Sequence, residues 1–247
     1  MGVTQLATRL GMSKGGVHRV LKNLLARGII EMTLDRKYRL TLALWELGLS
    51  IIARISIRSQ ALPYLELLVK ESGENSYLTI YDSGQVIYLE KVSSNQPVVV
   101  AGPAVGARAP AYTVATGKAI LAWKGEVELE RVLDTGLQAF SPRTITDPES
   151  LRTELEAIRQ QGFSLNRGEW REQVVGIGAP VRDHTDSVIA GISISGPATR
   201  LNVDTDVRLQ QLVVECARNL SRELGFRDPT ARNQAISRHR LAPVHSN

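Results

Sequence analysis

The sequence contains a single cysteine, Cys216, which excludes an intramolecular disulfide and a cysteine-rich zinc site. Its four histidines are scattered along the chain, so we expect no metal site and no cofactor. No apolar run approaches the roughly 18 residues that span a bilayer, and the N-terminus does not have the pattern of a secretory signal. Aromatic residues make up 5% of the chain, so its cores should be aliphatic. These absences favour a location in the cytoplasm.

Positive charge is concentrated at the N-terminal end of the chain. Residues 1–60 hold ten Lys or Arg and three acidic residues, a formal charge of +7, so the remainder carries −2 of the total +5. A basic segment on a mildly acidic body is typical of a nucleic-acid reader attached to another domain. A solvated basic surface explains the same asymmetry, so charge alone does not decide between them.

The first thirty residues follow the pattern of a helix-turn-helix. Residues 3–10 predict a short helix, and Gly11-Met12-Ser13 breaks it, with Ser13 suited to cap the next helix. The second helix should run over residues 14–27 and end at Gly28. Its apolar positions recur at helical spacing and are Val17, Val20, Leu21 and Leu24. In such a unit the second helix enters the major groove with its N-terminal residues nearest the base edges.

A basic face and a wing complete this candidate DNA-binding unit. Residues 29–32 and 37–40 predict two short strands joined by Asp35-Arg36, a wing whose cationic tip would meet phosphates. A helical hairpin with an accidental basic face is the alternative. The candidate DNA-binding residues are Ser13, Lys14, Gly15, Gly16, His18, Arg19, Lys22, Arg36 and Lys37.

Residues 42–62 carry apolar side chains on more than one helical face. They predict a linker and dimerisation helix, in contact with both the N-terminal domain and a partner chain, with a buried intradomain helix as the alternative. Pro63 is compatible with a helix start or kink. The domains are therefore expected at 1–41, 42–62 and 63–227, and the polar tail 228–247 is expected to be disordered.

Residues 63–227 alternate hairpins with helices, which predicts an α+β domain with helices packed on an antiparallel sheet. The hairpins fall at 77–81 with 85–92 and at 177–182 with 187–195, and a further strand at 97–101. Helices are predicted around 117–123, 126–134, 148–161 and 204–224.

Two features of this domain favour a ligand pocket. Thr116-Gly117-Lys118 opens a helix, where unpaired backbone N–H groups attract an anion such as a carboxylate, and Gly117 would let the ligand approach. Ser193 and Ser195 project to the same face of a strand. Turn formation and strand packing would also explain these glycines and serines.

The N-terminal segment, Leu6-Ala7-Thr8-Arg9-Leu10-Gly11-Met12-Ser13-Lys14 with Val17-His18-Arg19-Val20-Leu21, closely resembles the winged helix-turn-helix of the IclR family of bacterial transcription regulators. Gly15 and Gly16 stand where the family usually has hydroxyl residues, so we expect an altered operator preference. The resemblance also implies a further helix before residue 3, which is missing. Either a start codon assigned too far downstream or a truncated regulator that binds DNA weakly would explain the missing helix. Without that helix, the side chains of Leu6, Leu10 and Leu24 should be partly exposed to solvent.

The resemblance continues in the second half of the chain, through Ala109-Pro110-Ala111-Tyr112-Thr113-Val114-Ala115-Thr116-Gly117-Lys118-Ala119, Gly178-Ala179-Pro180-Val181 and Ile192-Ser193-Ile194-Ser195-Gly196-Pro197. It implies a GAF-like or profilin-like domain that binds a small organic acid. The effector contacts that it implies by position are Val98, Ala101, Ala115, Thr116, Asn166, Gly176, Ser193 and Ser195. Gly176 stands where the family often has cysteine and Asn166 where some members have a carboxylate, so we expect a bulkier acid, aromatic or sugar-derived.

The sequence thus predicts a ligand-responsive DNA-binding regulator, not an enzyme, that acts as a dimer or tetramer on double-stranded operator DNA. The alternative is a small-molecule-binding protein or enzyme with a degenerate DNA-binding domain. The glycine pair and the missing helix keep that alternative open.

Overall fold

The computed structural model describes residues 1–43, 57–96 and 102–227. Two compact units divide the chain, Met1–Ser56 and Ile57–Asn247. The predicted strand at 97–101, most of the predicted linker and the tail 228–247 lie outside the described residues.

The first unit is a winged helix-turn-helix, as the sequence predicts, and is called the head below. Its elements are α1 (Val3–Leu10), α2 (Lys14–Ala26), β1 (Ile30–Met32) and β2 (Tyr38–Leu40), with the two strands antiparallel. Gly11 ends α1 in the left-handed conformation, with φ 62°. Ser13 caps α2 because its side chain accepts a hydrogen bond of 3.1 Å from the Gly16 N–H.

The core of the head is small and aliphatic. Its buried residues are Ala7, Val17, Leu21 and Ile30. Leu6 and Leu24 are half-buried and Leu10 is exposed, in agreement with the expectation for these three side chains. Of the apolar residues at helical spacing along α2, Val20 is 49% exposed. Val17 and Leu21 lie at the centre of the buried side of α2, and Val20 lies at the edge of that side.

The second unit is α+β, which confirms the predicted class. Its helices are α3 (Ile57–Ser72), α4 (Ala115–Leu121), α5 (Glu126–Asp134), α6 (Pro148–Gln161) and α7 (Val207–Glu223). Its strands are β3 (Asn75–Asp82), β4 (Gln85–Val92), β5 (Arg108–Pro110), β6 (Ser164–Asn166), β7 (Val174–Arg182) and β8 (Val188–Pro197). Within the described ranges, none of the helices has the length and apolar character that crossing a membrane requires.

All the strand pairs of this unit are antiparallel, in the order β5-β4-β3-β8-β7-β6. Helices α3 and α7 pack on one face of the sheet, and the Ser76 hydroxyl donates to the Leu65 carbonyl there. Helix α4 packs against β6, β7 and β8 on the other face, where the Ser164 hydroxyl donates to the Ala115 carbonyl. Side chains that alternate along β8 therefore meet different helices.

Pro63 lies inside α3, which is continuous from Ile57 to Ser72. The sequence places a boundary at residues 62 and 63 because proline disfavours helix interiors. Pro63 has no backbone N–H, so one intrahelical hydrogen bond is absent. One side of the helix is nevertheless buried both before and after Pro63, through Ile57, Ala61, Leu65 and Leu68. Residues 57–62, which the sequence assigns to the linker, therefore belong to the first helix of the second unit.

Candidate DNA-binding face and ligand cavity

The exposed face of α2 carries the predicted basic residues. Lys14, Gly15, His18, Arg19 and Lys22 are all exposed, and Gly16 is half-buried beneath the Ser13 cap. In the part of the chain that the structure describes, Lys14, Arg19 and Lys22 form no ion pair. Their charges are therefore available to an anionic surface such as a phosphate backbone.

The wing is less cationic than the sequence suggests. Lys37 Nζ lies 2.6 Å from Asp35 Oδ2, and Arg39 pairs with Glu31 across the two strands. Hydrogen bonds from Lys37 and then Thr33 lower the pKa of the Asp35 carboxyl. Arg36, at φ 54° in the turn, forms no ion pair with any described residue. Pairing thus leaves Arg36 as the main cation of the wing tip.

A cavity lies between the sheet and the N-terminal end of α4, within the second unit. Its volume is about 70 Å³. Six predicted effector residues line it: Ala115, Thr116, Asn166, Gly176, Ser193 and Ser195. Val98 and Ala101 lie outside the described residues, and Gly117 is not part of the lining.

Strand register brings three of the lining residues together. Gly176 on β7 lies opposite Ser195 on β8 and opposite Asn166 on β6, so the three form a row across the sheet. Ser193 lies two residues along β8 from Ser195, on the same face, which is the alternation that the sequence predicts. The Ser195 hydroxyl donates to the Val175 carbonyl at 3.1 Å.

The glycines of this region serve backbone packing. A Cβ on Gly117 would overlap the carbonyl oxygen of Ala111 and lie 2.6 Å from its Cα. Gly117 therefore lets α4 pack on the preceding turn, whereas the sequence suggests that it admits a ligand. A Cβ on Gly176 would lie 2.7 Å from the Ile194 carbonyl oxygen, so Gly176 relieves a strand contact besides lining the cavity.

Lys118 holds three parts of the second unit together. Its side chain is fully buried, with Nζ 2.6 Å from Glu169 Oε1 and 2.8 Å from Glu154 Oε1. The Asn166 Oδ1 accepts hydrogen bonds from the backbone N–H groups of Gly168 and Glu169, which fixes the same loop. The charge of Lys118 therefore holds α4, α6 and the loop after β6 together and is not directed at a ligand.

Sequence reasoning did not identify the aromatic wall of the cavity. The Tyr77 and Tyr88 rings meet edge to face with centroids 5.4 Å apart. The Arg171 guanidinium lies 5.1 Å from the centroid of the Trp170 ring. Burial raises the pKa of Tyr77 to about 12 and raises that of Tyr88 too, so both phenols are neutral near pH 7. The predicted hairpin could have shown that Tyr77 and Tyr88 are close in space, but not that they face a cavity.

One further ion pair borders the cavity. Glu74 is buried, and its Oε2 accepts a hydrogen bond of 2.8 Å from Arg200 Nη2. A Cβ on Gly196 would overlap the Glu74 carboxylate, so this glycine makes room for the pair. Within the described ranges, no group of three or more His, Cys, Asp and Glu side chains is arranged to hold a metal ion.

Comparison with known protein families assigns both parts of the chain. Residues 1–33 match the IclR helix-turn-helix domain, and residues 49–222 match the family described as bacterial transcriptional regulator IclR, C-terminal. The HTH-type transcriptional regulator KipR of Bacillus subtilis is 33% identical over 225 residues, which are 91% of this chain and 90% of that protein.

Solved structures share the architecture. The Thermotoga maritima IclR structure is 30% identical with a TM-score of 0.69, and the match covers 92% of each chain. An IclR homologue from Microbacterium hydrocarbonoxydans, solved in complex with 4-hydroxybenzoate, is 28% identical with a TM-score of 0.77 and 91% coverage of each chain. These matches confirm the resemblance seen in the sequence, and with it the assignment of a helix-turn-helix head and a GAF-like second domain.

Proposed function

This chain belongs to the IclR family of bacterial transcriptional regulators, and we propose that it binds operator DNA with an affinity that a small organic acid controls. The proposal depends on the presence of two features in one chain. One unit has an exposed basic helix whose Lys14, Arg19 and Lys22 form no ion pair in the described structure, and the other unit has a polar cavity with aromatic walls. The Microbacterium homologue in complex with 4-hydroxybenzoate supports an organic acid as the effector class.

DNA binding would use the exposed face of α2. Lys14, Arg19 and Lys22 would contact phosphates or base edges, with His18 beside them and Ser13, Gly15 and Gly16 at the helix start near the backbone of the DNA. Arg36 would contact phosphate from the wing, with a smaller contribution from Lys37 because Asp35 already pairs with it. Two heads are needed to read two half-sites, so we propose a homodimer or tetramer working on the chromosome in the cytoplasm.

Effector binding would use the cavity of the second unit. Ala115, Thr116, Asn166, Gly176, Ser193 and Ser195 would contact the acid, and Val98 and Ala101 remain candidates by position. The acid would favour one arrangement of the two heads over another and so change the fit to the half-sites. Whether it releases or recruits DNA depends on which arrangement it binds more tightly.

Salt-dependent binding to DNA upstream of the regulated gene tests the regulator against the alternative of a small-molecule-binding protein or enzyme with a degenerate head. A regulator should shift that DNA, with a logarithmic affinity that falls linearly with the logarithm of the salt concentration. A scrambled duplex of equal length should bind at least tenfold more weakly. Equal affinity for both duplexes would favour the alternative.

A further inference from the structure

The fold of the head gives no steric or conformational reason for the glycine at position 15. A Cβ on Gly15 would meet no atom within 4 Å, and its backbone is not in the left-handed region. Other glycines of the head are explained, since Gly11 and Gly28 have φ of 62° and 67°. A Cβ on Gly16 would lie 3.1 Å from Oγ of the capping Ser13. Glycine also favours a helix less than alanine does, so the reason for Gly15 lies outside the head.

Gly15 lies on the outer side of α2, next to Arg19. Val17 and Leu21 mark the centre of the buried side. With about 100° of rotation per residue, the direction opposite that centre falls on Arg19, and Gly15 lies about 40° from it. Both residues are exposed, and Arg19 forms no ion pair with a described residue. The cation that points most directly outward therefore lies one turn after a position without a side chain.

This arrangement suits close contact with the floor of the major groove. The N-terminal residues of a helix in that groove lie nearest the base edges, and a side chain at position 15 would hold the first turn of α2 away from the duplex. The Arg19 guanidinium can bond to O6 and N7 of a guanine at once. Such bonds weaken steeply beyond about 3.2 Å, so a displacement by the thickness of a methyl group would break them.

We infer that Gly15 is a positioning residue for base recognition, because its missing side chain brings the duplex close enough for Arg19 to bond to a guanine. This inference rests on the proposed DNA binding and narrows the role of Arg19 from phosphates or base edges to a guanine. A phosphate contact carries no sequence information. If Arg19 met only phosphate, a larger residue at position 15 would weaken all duplexes alike.

Modified duplexes test the guanine contact. The full chain selects its preferred duplex from a random library, and each guanine of that duplex is replaced in turn by 7-deazaguanine, which lacks the N7 acceptor. One of these replacements should weaken binding by the wild type about tenfold. The same replacement should change the affinity of Arg19→Ala less than twofold, because the partner of N7 is already absent. If every replacement affects both proteins equally, the assigned contact is wrong.

The variants Gly15→Ala and Gly15→Leu test the close approach. Both should slow amide hydrogen exchange in α2 of the full chain about threefold, because alanine and leucine favour a helix. Both should nevertheless weaken binding to the preferred duplex, by about fivefold for alanine and fiftyfold for leucine. Gly15→Leu should also lose the sensitivity to 7-deazaguanine. A merely structural role does not combine a more stable helix with weaker binding.

The matched control is Asn23→Ala, an exposed position in the third turn of α2. This change also raises helix propensity, so it should slow exchange in α2 while affinity stays within twofold of the wild type.

The outcomes separate this inference from the proposed regulator. If Gly15→Leu binds the preferred duplex as the wild type does, the inference fails and the regulator stands. The same holds if Gly15→Leu weakens the preferred duplex and a scrambled duplex equally, since Gly15 would then act on phosphate contacts alone. If the full chain selects no sequence from the library, both the inference and the regulator fail.

Discussion

The ammonium of Lys118 lies 2.6 Å from the Glu169 carboxylate in a fully buried position, with Glu154 as a second partner at 2.8 Å. Lys118 belongs to α4, whose first residues line the cavity, and Glu169 precedes Trp170 and Arg171, which also line it. The ion pair therefore fixes the distance between two walls of the proposed binding site.

Replacing Glu169 with Gln should destabilise the second unit. The change leaves the buried Lys118 with only Glu154, and breaking a buried ion pair of this kind costs about 3 kcal/mol. Urea denaturation followed by tryptophan fluorescence measures the loss. The control is Glu126→Gln, which removes an exposed carboxylate paired with Arg152 and should leave the midpoint unchanged. Equal effects of the two variants would show that Glu169 contributes no more than a surface pair.

Replacing Lys22 with Ala should weaken operator binding and reduce the salt dependence of the affinity by about one unit of slope. The physical reason is the loss of one phosphate contact, since Lys22 is exposed and not ion-paired in the described structure. Fluorescence anisotropy with labelled duplex, at several salt concentrations, gives both quantities. Lys70→Ala, the same change on the exposed side of α3, should alter neither. An unchanged slope in Lys22→Ala would place the DNA on another face.

Replacing Gly117 with Ala should lower the free energy of unfolding by about 3 kcal/mol, because the added methyl group overlaps the backbone of Ala111. Replacing Gly15 with Ala should instead stabilise the head by about 1 kcal/mol, because its Cβ meets no atom within 4 Å and alanine favours the helix. Calorimetric unfolding of both variants checks the opposite signs. A stable Gly117→Ala variant would restore the interpretation that this glycine admits a ligand.

The thiol of Cys216 should react slowly in the folded protein. Burial, and then the charge of Glu215, raises its pKa from 9.0 to about 11, so little thiolate exists at pH 8. This burial stabilises the fold below pH 9, and the contribution is lost as the pH rises through 11. Ellman's reagent should label Cys216 at least a hundredfold faster in denaturing urea than in buffer at pH 8. Equal rates would show that the side of α7 carrying Cys216 opens readily.

Much of the fold could be predicted from local pattern. The bounds of α1, α5 and α6 follow from caps and apolar spacing, such as Asp147 before Pro148 and Gly11 at the left-handed end of α1. Two short strands were missed, because β5 contains Pro110 and β6 has three residues with little periodicity. Their existence depends on pairing with β4 and β7 and not on their own sequence.

The candidate site could be predicted only in part. Strand alternation was enough to place Ser193 and Ser195 on one face, and the family resemblance pointed to Thr116 and Asn166. The partnership of Lys118 with Glu154 and Glu169 spans 36 and 51 residues, so no local pattern reveals it. Nor can spacing show that the Ser195 hydroxyl is already bonded while that of Ser193 is not, which depends on side-chain orientation in the folded sheet.

The most direct test of the whole account measures operator affinity with and without a bound acid. The full chain is titrated onto its labelled operator in the absence of acid and at a saturating concentration of an organic acid that binds the cavity. We expect at least a fivefold change in affinity between the two conditions. An acid that saturates the cavity yet leaves operator affinity unchanged would contradict the account, because a ligand that does not distinguish the two states cannot regulate.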